Sequence, residues 1–134
     1  MPAFRDTQHA ADVLGGFFKH EAATDTTGMF AGSGVVIAYK LTDPDVRVVL
    51  DASQAPAPNA GFRVWVNDPG APEPQVEFLL DADTFDKLYL GEAQPMVLMM
   101  TGKVKAKGDV TAAMKLLPAM ARAIPHYKEY RKTH

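Results

Sequence analysis

The stretch from Asp83 to Leu117 constrains the fold of this chain more than any other. It sets an all-apolar block, Met96-Val-Leu-Met-Met100, between glycine-punctuated segments of different period. A helical block without a polar side must be surrounded by protein or by a ligand. The alternation Lys103-Val-Lys-Ala-Lys107, bracketed by Gly102 and Gly108, reads as a strand with its lysines outward. Upstream, Asp83-Thr-Phe-Asp86 has the form of a capping box in carboxylates. It opens a short helix carrying Phe85, Leu88, Tyr89 and Leu90, which Gly91 closes. Pro95 suits the first position of the apolar helix. Gly108-Asp109 caps a further helix bearing Val110, Ala113, Met114 and Leu117. Pro118 breaks or kinks that helix. A second helical piece is expected to reach about Ile124, before Pro125, with a polar, frayed tail from His126 to His134.

The first part of the chain carries two other periods. Ala10, Val13, Leu14, Phe17 and Phe18 form one apolar stripe on a helix of about residues 7–22. Gly15 and Gly16 weaken its propensity, so packing must hold it. From Gly34 the period becomes two, with Val35, Ile37, Tyr39 and Leu41 on one face. Thr42-Asp-Pro-Asp45 turns the chain and Val46, Val48 and Leu50 continue the pattern. Loops at 55–61 and 68–74 lead to Phe62, Val64 and Val66, then to Val76, Phe78 and Leu80. These four strands read as an antiparallel meander with one apolar face, and a mixed face that is only partly wet. The element order is α-β-β-β-β-α-α-β-α, an α+β domain with helices over one sheet.

At 134 residues the chain reads as one domain, 1–134, large enough to bury a core without staples. It contains no cysteine, which excludes disulfides and thiolate metal sites. Its apolar runs are far shorter than the roughly 20 residues a membrane span needs, and its start lacks a signal-peptide core. A soluble, cytoplasmic protein is the expectation. His20-Glu21 lacks the second histidine of a zinc-protease helix. The four histidines lie in or near the terminal segments, where solvation is expected. Asp81, Asp83 and Asp86 sit where capping predicts carboxylates. Gly32-Ser-Gly34 is too short to cradle a phosphate, and no Ser/His/Asp arrangement has local support. No catalytic residue, metal ligand or cofactor site follows from the sequence, and the chain is not expected to be an enzyme.

Charge is unevenly spread. Residues 1–90 hold 6 Lys/Arg against 13 Asp/Glu, and residues 91–134 hold 8 against 3. The basic third is either a solvated face or a docking surface for anionic lipid headgroups or an acidic partner. No aromatic residues interleave with the lysines, so nucleic acid is not the expected partner. Five of the seven methionines, Met96, Met99, Met100, Met114 and Met120, fall within 25 residues. Core filling and an adaptable cavity wall both use methionine this way.

The pattern Asp83-Thr-Phe-Asp-Lys-Leu-Tyr-Leu-Gly91, Gln94-Pro95, Met100-Thr-Gly-Lys-Val-Lys-Ala-Lys-Gly-Asp109 and Ala113-Met-Lys-Leu116 resembles the sterol carrier protein-2 (SCP2) family of small lipid-binding domains. The resemblance covers about residues 8–117 and leaves an extension, 118–134, without a counterpart. It implies a five-stranded sheet with helices over one face, enclosing an apolar tunnel. The peroxisomal Ser-Lys-Leu ending frequent in that family is replaced by Lys132-Thr-His134.

The expected function is non-catalytic binding and transfer of a hydrophobic lipid, whether fatty acid, acyl-CoA or sterol-like. Expected lining residues are Phe78, Phe85, Leu88, Tyr89, Met96, Met99, Met100, Met114, Leu117 and Met120, with Ile37 and Trp65 as weaker candidates. On this reading a carboxylate at Met100 or Leu117 destabilises the domain, because it enters an apolar wall. The alternative is an accessory protein that presents substrate to a lipid- or steroid-processing enzyme, or stabilises it. Contact with an anionic membrane or such an enzyme would accompany transfer, and the sequence leaves the oligomeric state open.

Overall fold

The parallel pairing of β1 with β4 organises the molecule. In the computed structural model, which describes residues 3–24, 34–53, 62–115 and 117–134, ten elements follow in order. They are α1 (Thr7–Thr24), β1 (Val36–Thr42), β2 (Val46–Asp51), β3 (Arg63–Val66), β4 (Val76–Asp81), α2 (Ala82–Tyr89), α3 (Pro95–Met100), β5 (Lys105–Gly108), α4 (Val110–Lys115) and α5 (Leu117–Arg131). The expected loop at 55–61 and residues 32 and 33 lie outside the described residues.

The sheet order is β3-β2-β1-β4-β5. β1, β2 and β3 pair antiparallel as a meander, but β4 crosses over to lie parallel on the other side of β1. The four-strand meander expected from alternation is thus corrected. Turn residues at 68–74 say that the chain reverses, not which strand it rejoins. Crossing over sets Val76, Phe78 and Leu80 beside Ile37, Tyr39 and Leu41, in the middle of the apolar face. β5 then adds antiparallel to β4 as an edge strand, and its exposed lysines guard that edge. Lys103 falls outside the strand, in the turn after α3.

All helices that contact the buried cluster pack against one sheet face. The α1 stripe Ala10, Val13, Leu14, Phe17 and Phe18 is buried there. Gly15 lets α1 approach the sheet closely, since a Cβ at that position would stand 3.1 Å from Val66 Cγ2. The opposite sheet face is partly covered, as expected. Val36, Ala38 and Val49 are buried beside Trp65 and Ala71, while Arg47 pairs with Glu77 at 2.9 Å.

Two helix ends differ from the sequence reading. α2 is capped by Asp81, whose Oδ1 accepts from the Thr84 amide at 2.6 Å, because β4 runs into α2 without a loop. Asp83 is therefore free to accept the Ala3 amide at 2.9 Å. Asp86 is turned inward rather than to a cap. It accepts from the Tyr127 hydroxyl at 2.7 Å and pairs with Arg131 Nε at 3.2 Å.

The second difference is the tail. The expected break at Pro118 falls beside residue 116, which lies outside the described residues; from Leu117 the helix passes Pro125 and ends at Arg131. An internal proline costs about 3 kcal/mol. Opposing it, Tyr127 is fully buried, edge-on to Phe17 with centroids 4.9 Å apart. Arg131 also donates to the Ala3 carbonyl at 2.9 Å and stacks on the Phe4 ring. His126, expected to be solvated, contacts buried Glu21 of α1 at 3.1 Å. Residues 126–131 are thus part of the core structure.

Removing a buried aromatic ring costs about 3–5 kcal/mol. Tyr127→Ala, and a chain shortened after Pro125, should each lose that much in urea denaturation. A frayed tail would give no loss in either.

Candidate ligand groove

The groove is built from three short pieces of chain. α2 runs on from β4 and presents Leu88 and Tyr89. A left-handed Gly91 (φ 77°) then turns the chain sharply, with the Glu92 amide donating to the Lys87 carbonyl at 2.9 Å. Pro95, at the first position of α3, directs the next turn of helix back across the opening. Over these lies the first half of α5, with Leu117, Met120, Ala121 and Ile124.

Two apolar spaces result. An outer one of about 190 Å³ lies between the α2–α3 turn and α5. An inner one of about 20 Å³ reaches to the sheet at Tyr39, Phe78 and Leu80. Leu88, Pro95, Leu117 and Met120 border both, so the two spaces adjoin in one groove.

The floor is an aromatic block. Phe85 stacks on Tyr89 at 4.6 Å, and Tyr39 meets Phe85 edge-on at 5.1 Å. The Tyr39 and Tyr89 hydroxyls bond each other at 2.6 Å. Burial pushes the Tyr39 phenol up to about 12, against the hydrogen bond from Tyr89. Burial also raises Tyr89, reinforced by Tyr39, and raises Tyr127, reinforced by the Asp86 carboxylate. The block stays neutral and well paired.

Lys128 lies beside the Gly91 end of the outer space. Its Nζ lies 3.8 Å from where a Gly91 Cβ would be, one turn beyond Ile124 on α5. It takes part in no ion pair among the described residues. Gln94, exposed and without a capping bond from its side chain, borders the same space. Among the described residues no group of three His, Cys, Asp or Glu is placed to hold a metal ion.

Of the residues expected to line a cavity, Leu88, Leu117 and Met120 border both spaces, Phe78 and Met99 the inner one and Tyr89 the outer one of this groove. Phe85 is fully buried one layer below it. Met96, Met100 and Met114 do not line it; they are 47%, 83% and 42% exposed. The expectation that α3 is enclosed all round is corrected. α3 has six residues and rests on the core through buried Leu98 and half-buried Met99, and no described element covers its other side. Ile37 is core beneath the helices, and Trp65 lies on the opposite sheet face. Sequence reasoning missed Tyr39, Leu80, Val104 and Ile124 as lining residues. Tyr39 and Leu80 carried the period-two signal of the apolar face; Ile124 was placed at a helix end.

A burial-raised phenol contributes stability below its unfolded pKa near 10 that is lost as pH rises through its folded value. Alkaline titration should therefore show the tyrosines silent near pH 10.0, then ionising together with unfolding at higher pH. Free titration near pH 10 with the fold intact would contradict the buried, paired arrangement.

The sequence profile of the SCP-2 sterol transfer family matches residues 18–121. No curated protein matches the chain. Among solved structures, the sterol carrier protein domain 2 of Helicoverpa armigera superposes with a TM-score of 0.65 at 22% identity, over 85% of this chain and 89% of that one. Sterol carrier protein 2 of Yarrowia lipolytica, in its apo form, gives 0.55 at 21% identity, over 85% of each chain. The UbiJ-SCP2 ubiquinone synthesis protein gives 0.56 at 14% identity, over 83% of this chain and 94% of that one. These structures share the five-stranded sheet with its helical layer, and with the profile spanning most of the chain, the protein belongs to the SCP-2 sterol transfer family.

Proposed function

We propose that the protein binds and carries a hydrophobic lipid, with its apolar portion between α2, α3 and α5 and no chemistry performed on it. One observation carries the reading: two adjoining apolar spaces, one towards the surface and one against the sheet, are walled by side chains of three helices. Lipid binding is the property of the family; fatty acid, acyl-CoA or a sterol-like molecule is the finer proposal. The energetics are adequate. Each buried methylene contributes about 0.8 kcal/mol, so a chain of roughly sixteen carbons offers on the order of 12 kcal/mol gross, against association costs of about 4–15 kcal/mol.

The outer space of about 190 Å³ is smaller than the roughly 300–1,000 Å³ of ordinary ligand pockets. Loading therefore needs a helix to move. α3 is the element suited to it, since Leu98 is its single buried residue. Lys128 beside the outer space favours a lipid with an anionic head. The protein would act in the cytoplasm, meeting an anionic membrane or a lipid-metabolising enzyme when it transfers its ligand. A second reading, presentation of a lipid to an enzyme, is favoured by the likeness to a ubiquinone synthesis protein.

Native mass spectrometry of the purified protein tests the proposal. A co-purified or added fatty acid retained at one-to-one supports carriage, while an empty protein that associates with an enzyme supports presentation. Leu117→Asp should abolish that binding, because an unpaired carboxylate would face the apolar wall. Met100→Asp, on the exposed side, should leave the stability of the free protein unchanged. Lys128→Gln should weaken fatty acid about fivefold and leave the matching alcohol unaffected, as a rim charge contributes about 1 kcal/mol or less. Equal loss for acid and alcohol would remove Lys128 from the headgroup role.

A further inference from the structure

Every large apolar side chain that remains mostly exposed among the described residues falls between 96 and 114. They are Met96, Val97, Met100, Val110 and Met114. Three of the five belong to α3, where Val97 is 54% and Met100 83% exposed. Carrying these groups in water is unfavourable by roughly 25 cal/mol for each square ångström shown. A protein that concentrates such exposure in one short helix has placed a binding element there.

The charge around this helix is equally one-sided. Residues 93–108 contain three lysines and neither Asp nor Glu. Lys103 lies in the turn that follows α3, and Lys105 opens β5; both are exposed and form no ion pair among the described residues. Lys107 is different, because the register sets it beside Glu77, the partner of Arg47. Register also directs Lys105 with Leu79 to the sheet face away from the helices, whereas Ala106 sits beside Phe78. Lys103, in the turn that leads directly out of α3, is therefore the basic group that accompanies the apolar tip.

We propose that α3 docks the protein on an anionic bilayer, with Met96, Val97 and Met100 entering the interface and Lys103 meeting the headgroups. Apolar side chains flanked by a lysine, without acids between, match a charged lipid surface. The opposite side of the same helix carries Pro95 and Met99, which wall the groove. A docked α3 thus brings the groove to the membrane, and a small displacement of α3 opens it there. The link to opening rests on the lipid-carrier reading; the docking itself does not.

Met100→Trp places a reporter at a position open enough to accept it. With phosphatidylcholine vesicles containing phosphatidylserine, the introduced tryptophan should shift its emission to the blue, measured as a difference from the wild-type signal of Trp65. The shift should fade in high salt and be absent with pure phosphatidylcholine. In vesicle co-sedimentation, Lys103→Gln should weaken binding about fivefold, and Lys105→Gln, on the far sheet face, should fold like Lys103→Gln and serve as its control. Changing Met96, Val97 and Met100 together to Gln should abolish binding. Lys103→Gln and the triple Gln variant should bind a fluorescent fatty acid normally in the absence of vesicles, which separates failed docking from a failed carrier. The proposal is overturned if the wild type ignores anionic vesicles at low salt. It is equally overturned if the triple Gln variant binds them as well as the wild type, or if gel filtration shows that a second copy covers α3.

Discussion

The aromatic block under the groove is the interaction on which the rest of the structure depends. Phe17 and Phe18 of α1, Tyr39 of β1, Phe85 and Tyr89 of α2, and Tyr127 of α5 lie within centroid distances of 4.6–6.4 Å along a connected set of ring contacts. Each large ring buries roughly 150–250 Å², worth on the order of 4–6 kcal/mol gross. The three tyrosines could not be buried without partners. Tyr39 and Tyr89 bond each other, and Tyr127 donates to Asp86, so desolvation of the hydroxyls is offset inside the block. Four elements from distant parts of the chain are locked through six rings.

That block explains why the helix at the end of the chain matters. The family profile stops at residue 121, while α5 continues to Arg131. The part beyond the match does three things. Tyr127 fills the core, Arg131 joins Asp86 to the Ala3 carbonyl, and Lys128 reaches Gly91 beside the outer space. A lone buried carboxylate is costly. Asp86 is tolerable because both a hydroxyl and a guanidinium from α5 meet it.

The groove itself is a compromise between a sealed core and an open pocket. Its inner end is floored by tightly packed rings, which hold the sheet and α2 in place. α3 rests on the core through buried Leu98 and half-buried Met99 and leaves three apolar side chains in water. Regions with few buried contacts open at low free-energy cost, and that is the property a carrier requires of one wall. Rigidity and access are thereby assigned to different elements.

Residue periodicity and the glycine and proline positions determined the helix stripe of α1, the alternating faces of the strands, and the punctuation at Gly91, Pro95 and Gly102. These are local signals: a period of 3.6 or 2 tells which side of an element is apolar, and glycine or proline tells where it stops. What only the tertiary structure decided is which apolar side meets which. Alternation could not say that β4 pairs parallel with β1, because both neighbours offer the same apolar face. It could not say that α5 survives Pro125, because the compensation comes from Asp86 and Phe17, some 40 and 110 residues away. Nor could it turn Met96 and Met100 outward: α3 is apolar on every side, and only the position of a six-residue helix over the core decides which of its methionines face the protein and which face water.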